Sequence, residues 1–199
     1  LLTGVGRRRT DTGLQRQMAE RFAVLDAHKQ LVLVTGHRRE NFGEGCARVC
    51  RGLRTLVATH PGVELVYPVH LNPQVQEPVG RLLGGQERVH LLAPLDYLPF
   101  VALMDRASLI VTDSGGVQEE APSLGKPVLV TRETTERPEA VAAGTVHLVG
   151  TDEAAIVAQA AELLAAPAGG RSGAVVNPYG DGHAAERIVR FLRTTLPAG

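Results

Sequence analysis

Six short runs of apolar, largely β-branched residues punctuate the chain: LVLVT at 31–35, VELVYPV at 63–69, VHLLA at 89–93, SLIVT at 108–112, PVLVT at 127–131 and VHLVG at 146–150. Segments of helical pattern separate them, among them GEGCARVCRGLRTLVATH, NPQVQEPVGRLLG, YLPFVALMDR and VQEEAPSLG, and DEAAIVAQAAELLAA follows the last. This alternation predicts an α/β fold, a Rossmann-like doubly wound parallel sheet of about six strands. The runs are apolar throughout rather than at every second residue, which is the pattern of strands covered on both faces.

Residues 1–30 are read as a linker and leading helix (LQRQMAERFAVLD), 31–182 as the sheet domain, and 183–199 as a C-terminal helical segment. A Pro/Gly/Ser-rich loop at 167–182 precedes that last helix, expected at about 183–195. The opening LLTGVGRRRTDTG has no apolar periodicity, so no element is expected there, and its RRR at 7–9 reads as a solvated linker. A first residue of Leu suggests a chain cut from something longer.

With 199 residues, 44% of them hydrophobic, one ordinary globular core can form without disulfide or metal. Lys plus Arg and Asp plus Glu number 21 each, which argues against a nucleic-acid or anionic-membrane partner held by bulk charge. An anion must therefore be met locally. No apolar stretch reaches the roughly 18 to 20 residues of a membrane span and no signal-peptide pattern opens the chain, which gives a cytoplasmic reading. Cys46 and Cys50 share a helical face, but no second pair completes a zinc site; two small buried thiols are expected, and no metal.

In such sheets ligands bind beyond the carboxyl ends of the strands, where loops and helix starts converge. After LVLVT comes GHRREN, with His37, Arg38, Arg39 and Glu40. A histidine and arginines there either meet a phosphate or leaving group, or cap a loop with their charges in water. After VELVYPV comes HLNP, where Asn72 and Pro73 make a sound helix start and His70 either touches a ligand or bonds a loop carbonyl.

After ASLIV comes TDSGGVQEE. Asp113 or Ser114 can cap the following helix, while Gly115 and Gly116 let main-chain N–H groups approach a phosphate unobstructed. Glu120 follows Gly116 by four residues, so it shares that helical face and can accept from sugar hydroxyls; Glu119 faces elsewhere and reads as structural. After PVLVT, Pro138 suits a first helical turn and leaves Arg137 at its start as a second clamp. Phe100, in APLDYLPF, either holds a flat base or fills the core.

Taken together, VTGHRRENFGEG, YPVHLNP, DYLPF, TDSGGVQEEAPSLGKPVLVTRETTERPEAVAAGTVHLVGT and NPYGDGHAAERI closely resemble the non-hydrolysing UDP-N-acetylglucosamine 2-epimerases of bacteria. The resemblance runs over about residues 31 to 192 without obvious gaps. It implies the C-terminal, nucleotide-holding half of a two-domain GT-B fold, with the active site in the cleft between the halves. The family interconverts UDP-N-acetylglucosamine and UDP-N-acetylmannosamine: the C2 proton is removed, UDP leaves to give 2-acetamidoglucal, and UDP and a proton are added back. No redox cofactor is implied.

By motif position the resemblance gives Ser114, Gly115 and Gly116 to the diphosphate, Glu120 to the ribose, and Phe100 and its neighbours to uracil. Arg137 and His37 would serve the phosphates, His37 also assisting the departure of UDP. In some bacterial members a second UDP-N-acetylglucosamine activates the enzyme, at positions matching Arg38, Glu40 and His70. Leu95 departs from the pattern, because some relatives carry a glutamine beside the uracil.

The resemblance also places the carboxylates that move the C2 proton, and a further phosphate-binding arginine, in an N-terminal domain outside these 199 residues. The chain alone is therefore expected to bind UDP weakly and not to turn over. Its last helix, which would cross to that domain, is expected to be mobile, packed differently or exchanged. A homodimer is implied for the full-length enzyme, with contacts largely in the N-terminal domain. A GT-B glycosyltransferase half, a non-catalytic UDP-sugar module and a hydrolysing relative are the competing readings; GHRREN and TTERPEA favour the epimerase over the transferase.

Overall fold

The computed structural model describes residues 1–166 and 177–195. The chain opens with helices α1 (Leu2–Thr10) and α2 (Thr12–Arg21), then runs β1 (Gln30–Thr35), α3 (Glu44–Thr59), β2 (Val63–Pro68), α4 (Pro73–Leu83), β3 (Val89–Leu92), α5 (Tyr97–Arg106) and β4 (Leu109–Thr112). It continues with α6 (Gly115–Glu120), a 3-10 turn at Ala121–Leu124, β5 (Val128–Val130), α7 (Pro138–Ala142), β6 (Val146–Leu148), α8 (Glu153–Ala165) and α9 (Ala184–Thr195). All six apolar runs form strands. They pair in parallel in the order β3-β2-β1-β4-β5-β6.

Side chains alternate across a strand, and here both sides are apolar because both are covered. Leu31 and Leu33 of β1 face one core with Val66, Ile110, Val128 and Val130, closed by α1, α2, α5, α6 and α7. Val32 and Val34 face the other with Leu65, Leu109, Val111 and Leu129, closed by α3, α4 and α8. Gly52 lets α3 meet α8: a Cβ there would lie 3.3 Å from the Glu153 carbonyl oxygen and from Ile156 Cγ2. The outer strand β3 is half-buried along its whole length, as expected at a sheet edge.

Helix starts follow local chemistry. The Asn72 side chain accepts from the Gln74 N–H at 2.9 Å with Pro73 in the first turn, and Asp152 accepts from the Ala155 N–H at 2.8 Å at the start of α8.

The N-terminal segment corrects the sequence reading. Residues 2–10 are helical, not a linker, and the arginine run is not solvated at random: Arg8 and Arg9 both pair with Asp105 of α5, Arg9 at 3.1 Å. Val5 is buried, and Gly4 lets the helix close on α5, since a Cβ there would sit 3.4 Å from Leu98. Two glycines and two threonines lower the intrinsic helicity and no apolar stripe compensates, so this helix is made by docking on α5 rather than by its own pattern.

Of the loop expected at 167–182, residues 167–176 lie outside the described residues, and 177–182 are irregular. Every described residue of α9 is exposed, including Ile188, Val189, Phe191 and Leu192. Among the described residues no helix is long and apolar enough to cross a membrane.

Candidate functional site

The strand order reverses between β1 and β4, so the loops that follow these two neighbours leave in opposite directions and open a crevice at the carboxyl edge. GHRREN borders it on one side and TDSGG on the other. The two are tied by Asp113, a 1% exposed carboxylate. Asp113 does not cap α6 as expected. It accepts instead from the main-chain N–H of His37 at 3.0 and 3.1 Å, from that of Arg38 at 2.8 Å and from Asn41 Nδ2 at 3.4 Å.

The physical reason is adjacency. With Thr35 beside Thr112 in the sheet, the next residues of both strands emerge together, and a buried carboxylate needs those donors more than a short helix needs a cap. Ser114 stands at the start of α6 without a side-chain capping bond, and its N–H donates to the Thr112 hydroxyl at 3.0 Å. The bend at Gly36 packs on Tyr67, whose hydroxyl would be 3.0 Å from any Cβ added there.

Above α6 the charges converge. A Cβ on Gly115 would lie 3.7 Å from Arg38 Nη2 and 3.9 Å from Arg137 Nη2, so two guanidinium groups from different loops overhang one glycine. Arg137 is held by Glu119, whose hydrogen bond raises its pKa, and its Nη1 donates to the Glu136 carbonyl oxygen at 3.0 Å. Glu119 is thus structural, but as the partner of Arg137. The loop that carries Arg137 is pinned by fully buried Gln118, which accepts from the Thr135 hydroxyl at 2.6 Å; that same hydroxyl oxygen accepts from the Arg137 N–H at 3.0 Å.

His37 Nδ1 lies 3.5 Å from Asp113 Oδ1, and its ring stacks on His70 with centroids 5.7 Å apart. His70 does not bond a loop carbonyl; its Nδ1 accepts from the Asn72 N–H at 3.1 Å. Glu40 pairs with Arg132 at 2.5 Å. Glu120 accepts from the Tyr97 hydroxyl at 2.8 Å, which ties the far side of α6 to the first turn of α5. Phe100, one turn further along α5, is partly buried and packs against the core, as does Leu95.

Cys46 and Cys50 are half-buried and buried. A hydrogen bond between the two free thiols eases ionisation of Cys46 and pushes the Cys50 thiol up. Both line a cavity of about 30 Å³ beneath GHRREN, together with Gly36, Tyr67 and Asp113. That volume has room for about one or two waters. Anything larger than water must therefore lie outside it, on the open side of the crevice. Among the described residues no group of three or more His, Cys, Asp or Glu is placed to hold a metal ion.

The structure thus brings His37, Arg38, Ser114, Gly115, Gly116 and Arg137 to one place, with Glu120 at the other end of the short α6 and Phe100 beyond it. Sequence reasoning missed Asp113 as an organiser, Tyr97, Gln118 and Arg132. Asp113 and Arg132 required the strand order.

The family model for UDP-N-acetylglucosamine 2-epimerase matches residues 5–193. A curated UDP-N-acetylglucosamine 2-epimerase of Salmonella typhimurium is 55% identical over 186 residues, 93% of this chain and 50% of that relative. Among solved structures, the UDP-GlcNAc 2-epimerase of Neisseria meningitidis bound to UDP-GlcNAc superposes with a TM-score of 0.91 at 44% identity, over 98% of this chain and 52% of that one. The UDP co-structure of S. aureus MnaA gives 0.79 at 39% identity, over 91% and 50%. The chain spans about half the length of the curated relatives it matches. With a family-model match from residue 5 to residue 193 and this close superposition, it belongs to the UDP-N-acetylglucosamine 2-epimerase family.

Proposed function

We propose that this chain is the UDP-holding half of an enzyme that interconverts UDP-N-acetylglucosamine and UDP-N-acetylmannosamine. The observation that carries the reading is the overhang of Arg38 and Arg137 on Gly115, beside His37 and at the start of α6. Two fixed guanidinium groups and unobstructed main-chain N–H groups form a diphosphate site. In the reaction the C2 proton leaves, the C1–O bond to UDP breaks, and charge grows on the departing diphosphate. Donors already in position there favour the transition state over the bound sugar nucleotide. Arg137 and His37 meet the phosphates, and His37 assists departure of UDP.

Glu120 takes the ribose hydroxyls with the carboxylate that Tyr97 orients, and Phe100 with nearby backbone borders the uracil. Two relatives, solved with UDP-GlcNAc and with UDP, support a uridine nucleotide as ligand. Movement of the C2 proton is assigned to the half that this chain does not span. The exposed apolar face of α9 supports docking on that half. Of Arg38, Glu40 and His70, the positions matching a second sugar nucleotide, Arg38 is here given to the diphosphate, which leaves Glu40 and His70 as the candidates for that second site.

Calorimetric titration of the chain with UDP tests the site. Arg137→Ala and Glu120→Ala should each weaken binding, Glu120→Ala by about 1–3 kcal/mol through loss of hydrogen bonds to the ligand. Unchanged affinity in both variants overturns the assignment. The isolated chain should show no epimerisation in a coupled assay.

A further inference from the structure

Arg132, two residues beyond β5, carries a full charge yet is only 7% exposed. A buried guanidinium is costly unless paired and hydrogen-bonded. Its partners come from two different loops: Nε donates to Glu40 Oε1 at 2.5 Å, after β1, and Nη2 to Glu136 Oε1 at 3.3 Å, after β5. Nη1 is buried with no partner among the described residues. The fork is therefore committed to holding two carboxylates rather than satisfied for its own sake. The second oxygen of Glu136 lies 3.8 Å from Arg38 Nη2, the same atom that overhangs Gly115. The Glu136 carboxyl is held below its usual range, first by the Arg132 hydrogen bond, then by the charges of Arg132 and Arg38.

We propose that Arg132 is a positioning residue for the diphosphate site: it fixes Glu136, and Glu136 fixes the guanidinium of Arg38 over Gly115. Arg38 is a long, partly exposed side chain, and without a fixed carboxylate it samples many rotamers that a phosphate would have to restrict. A planar fork can hold Glu40 and Glu136 at once; a lysine ammonium offers no such geometry. Glu40 closes the other arm, so the loops after β1 and β5 are set relative to each other by one buried cation. The inference rests on the reading of the crevice as a UDP site.

The test compares Arg132→Lys, Arg132→Met and Glu136→Gln in the full chain with three readouts: UDP affinity, uridine affinity from NMR shifts, and the heteronuclear NOE of the Arg38 Nε–H. All three variants should bind UDP about tenfold more weakly, the loss expected of one charge-assisted contact, with uridine affinity unchanged. The Arg38 NOE should fall. Combining Arg132→Met with Glu136→Gln should add little, because both cut the same relay.

Equal weakening of UDP and uridine would mean that Arg132 only staples the loops, and would overturn the inference, as would unchanged UDP affinity. If Arg132→Met does not fold, Glu136→Gln, with its exposed carboxylate, carries the same test. If the unsubstituted chain binds no UDP, the site reading itself fails; the Arg38 NOE in Glu136→Gln then decides the relay alone, and an unchanged value overturns it.

Discussion

The main-chain N–H of His37 points at both carboxylate oxygens of Asp113, 3.1 and 3.0 Å away, across 76 residues of chain. This contact makes the first and fourth strand ends one unit, since the Arg38 N–H joins the same carboxylate at 2.8 Å. It fixes the main chain from which His37 and Arg38 project.

Asp113→Ala would leave the loop N–H groups without their acceptor. The expected destabilisation is about 3 kcal/mol, read from urea unfolding. A loss below about 0.5 kcal/mol, the range of an ordinary surface substitution, would show that Asp113 organises nothing.

Tyr97→Phe removes only the hydroxyl that donates to Glu120. Tyr97 is substantially exposed, so thermal stability should hardly change, while UDP should bind about threefold more weakly because Glu120 loses its orientation. Paired titrations of the variant and the parent chain, with melting curves, separate the two effects.

All three tyrosines have phenols shifted upward. Burial raises Tyr67 well above its ordinary value of 10. Burial, then the Glu120 hydrogen bond, brings Tyr97 to about 12. Burial also raises Tyr179. Folding thus favours the protonated phenols. Their contribution to stability is complete below pH 10 and is lost as pH rises through the folded values, reached at about 12 for Tyr97. Absorbance at the phenolate band should show little ionisation at pH 10 in the folded chain and about half in the unfolded chain. Ordinary ionisation in the folded state would contradict the placement of these rings.

Asp181 stands just before α9 and pairs with Arg187 at 2.6 Å. The Arg187 hydrogen bond, then the His183 N–H, lowers its pKa from 3.8 to about 2. A depressed carboxylate contributes stability above its ordinary pKa and loses it as pH falls through the folded one. The anchoring of the α9 start should therefore persist at pH 4 and fade towards pH 2. Carbon-13 titration of the Asp181 carboxyl gives the midpoint directly; a midpoint near 3.8 would show that the pair does not form.

The six strands were legible because each is a continuous apolar run, which a sheet covered on both faces demands. Ser114 to Gly116 and Arg137 were legible because glycines and cations at strand ends carry a local meaning. Asp113, Arg132 and Tyr97 were not, since Asp113 and Arg132 find His37, Arg38 and Glu40 on the loop after β1, and Tyr97 finds Glu120 on α6, neighbours that only strand order brings near. Helix α1 was hidden for a related reason: Arg8 and Arg9 are paired by Asp105, 97 and 96 residues away, so its helicity is a tertiary property.

The central position of β1 also constrains how the chain acquires its fold. Thr35 and Thr112 are register partners 77 residues apart, so β1 can pair with β2 early but must wait for β4. At synthesis rates of roughly 5 to 20 residues per second, that edge stays open for seconds on the ribosome, with Leu31 to Val34 as an apolar, unpaired ribbon. The reversal of strand order that makes the crevice at the carboxyl edge thus also leaves the nascent chain open to edge-to-edge association until Leu109–Thr112 emerges and closes the sheet.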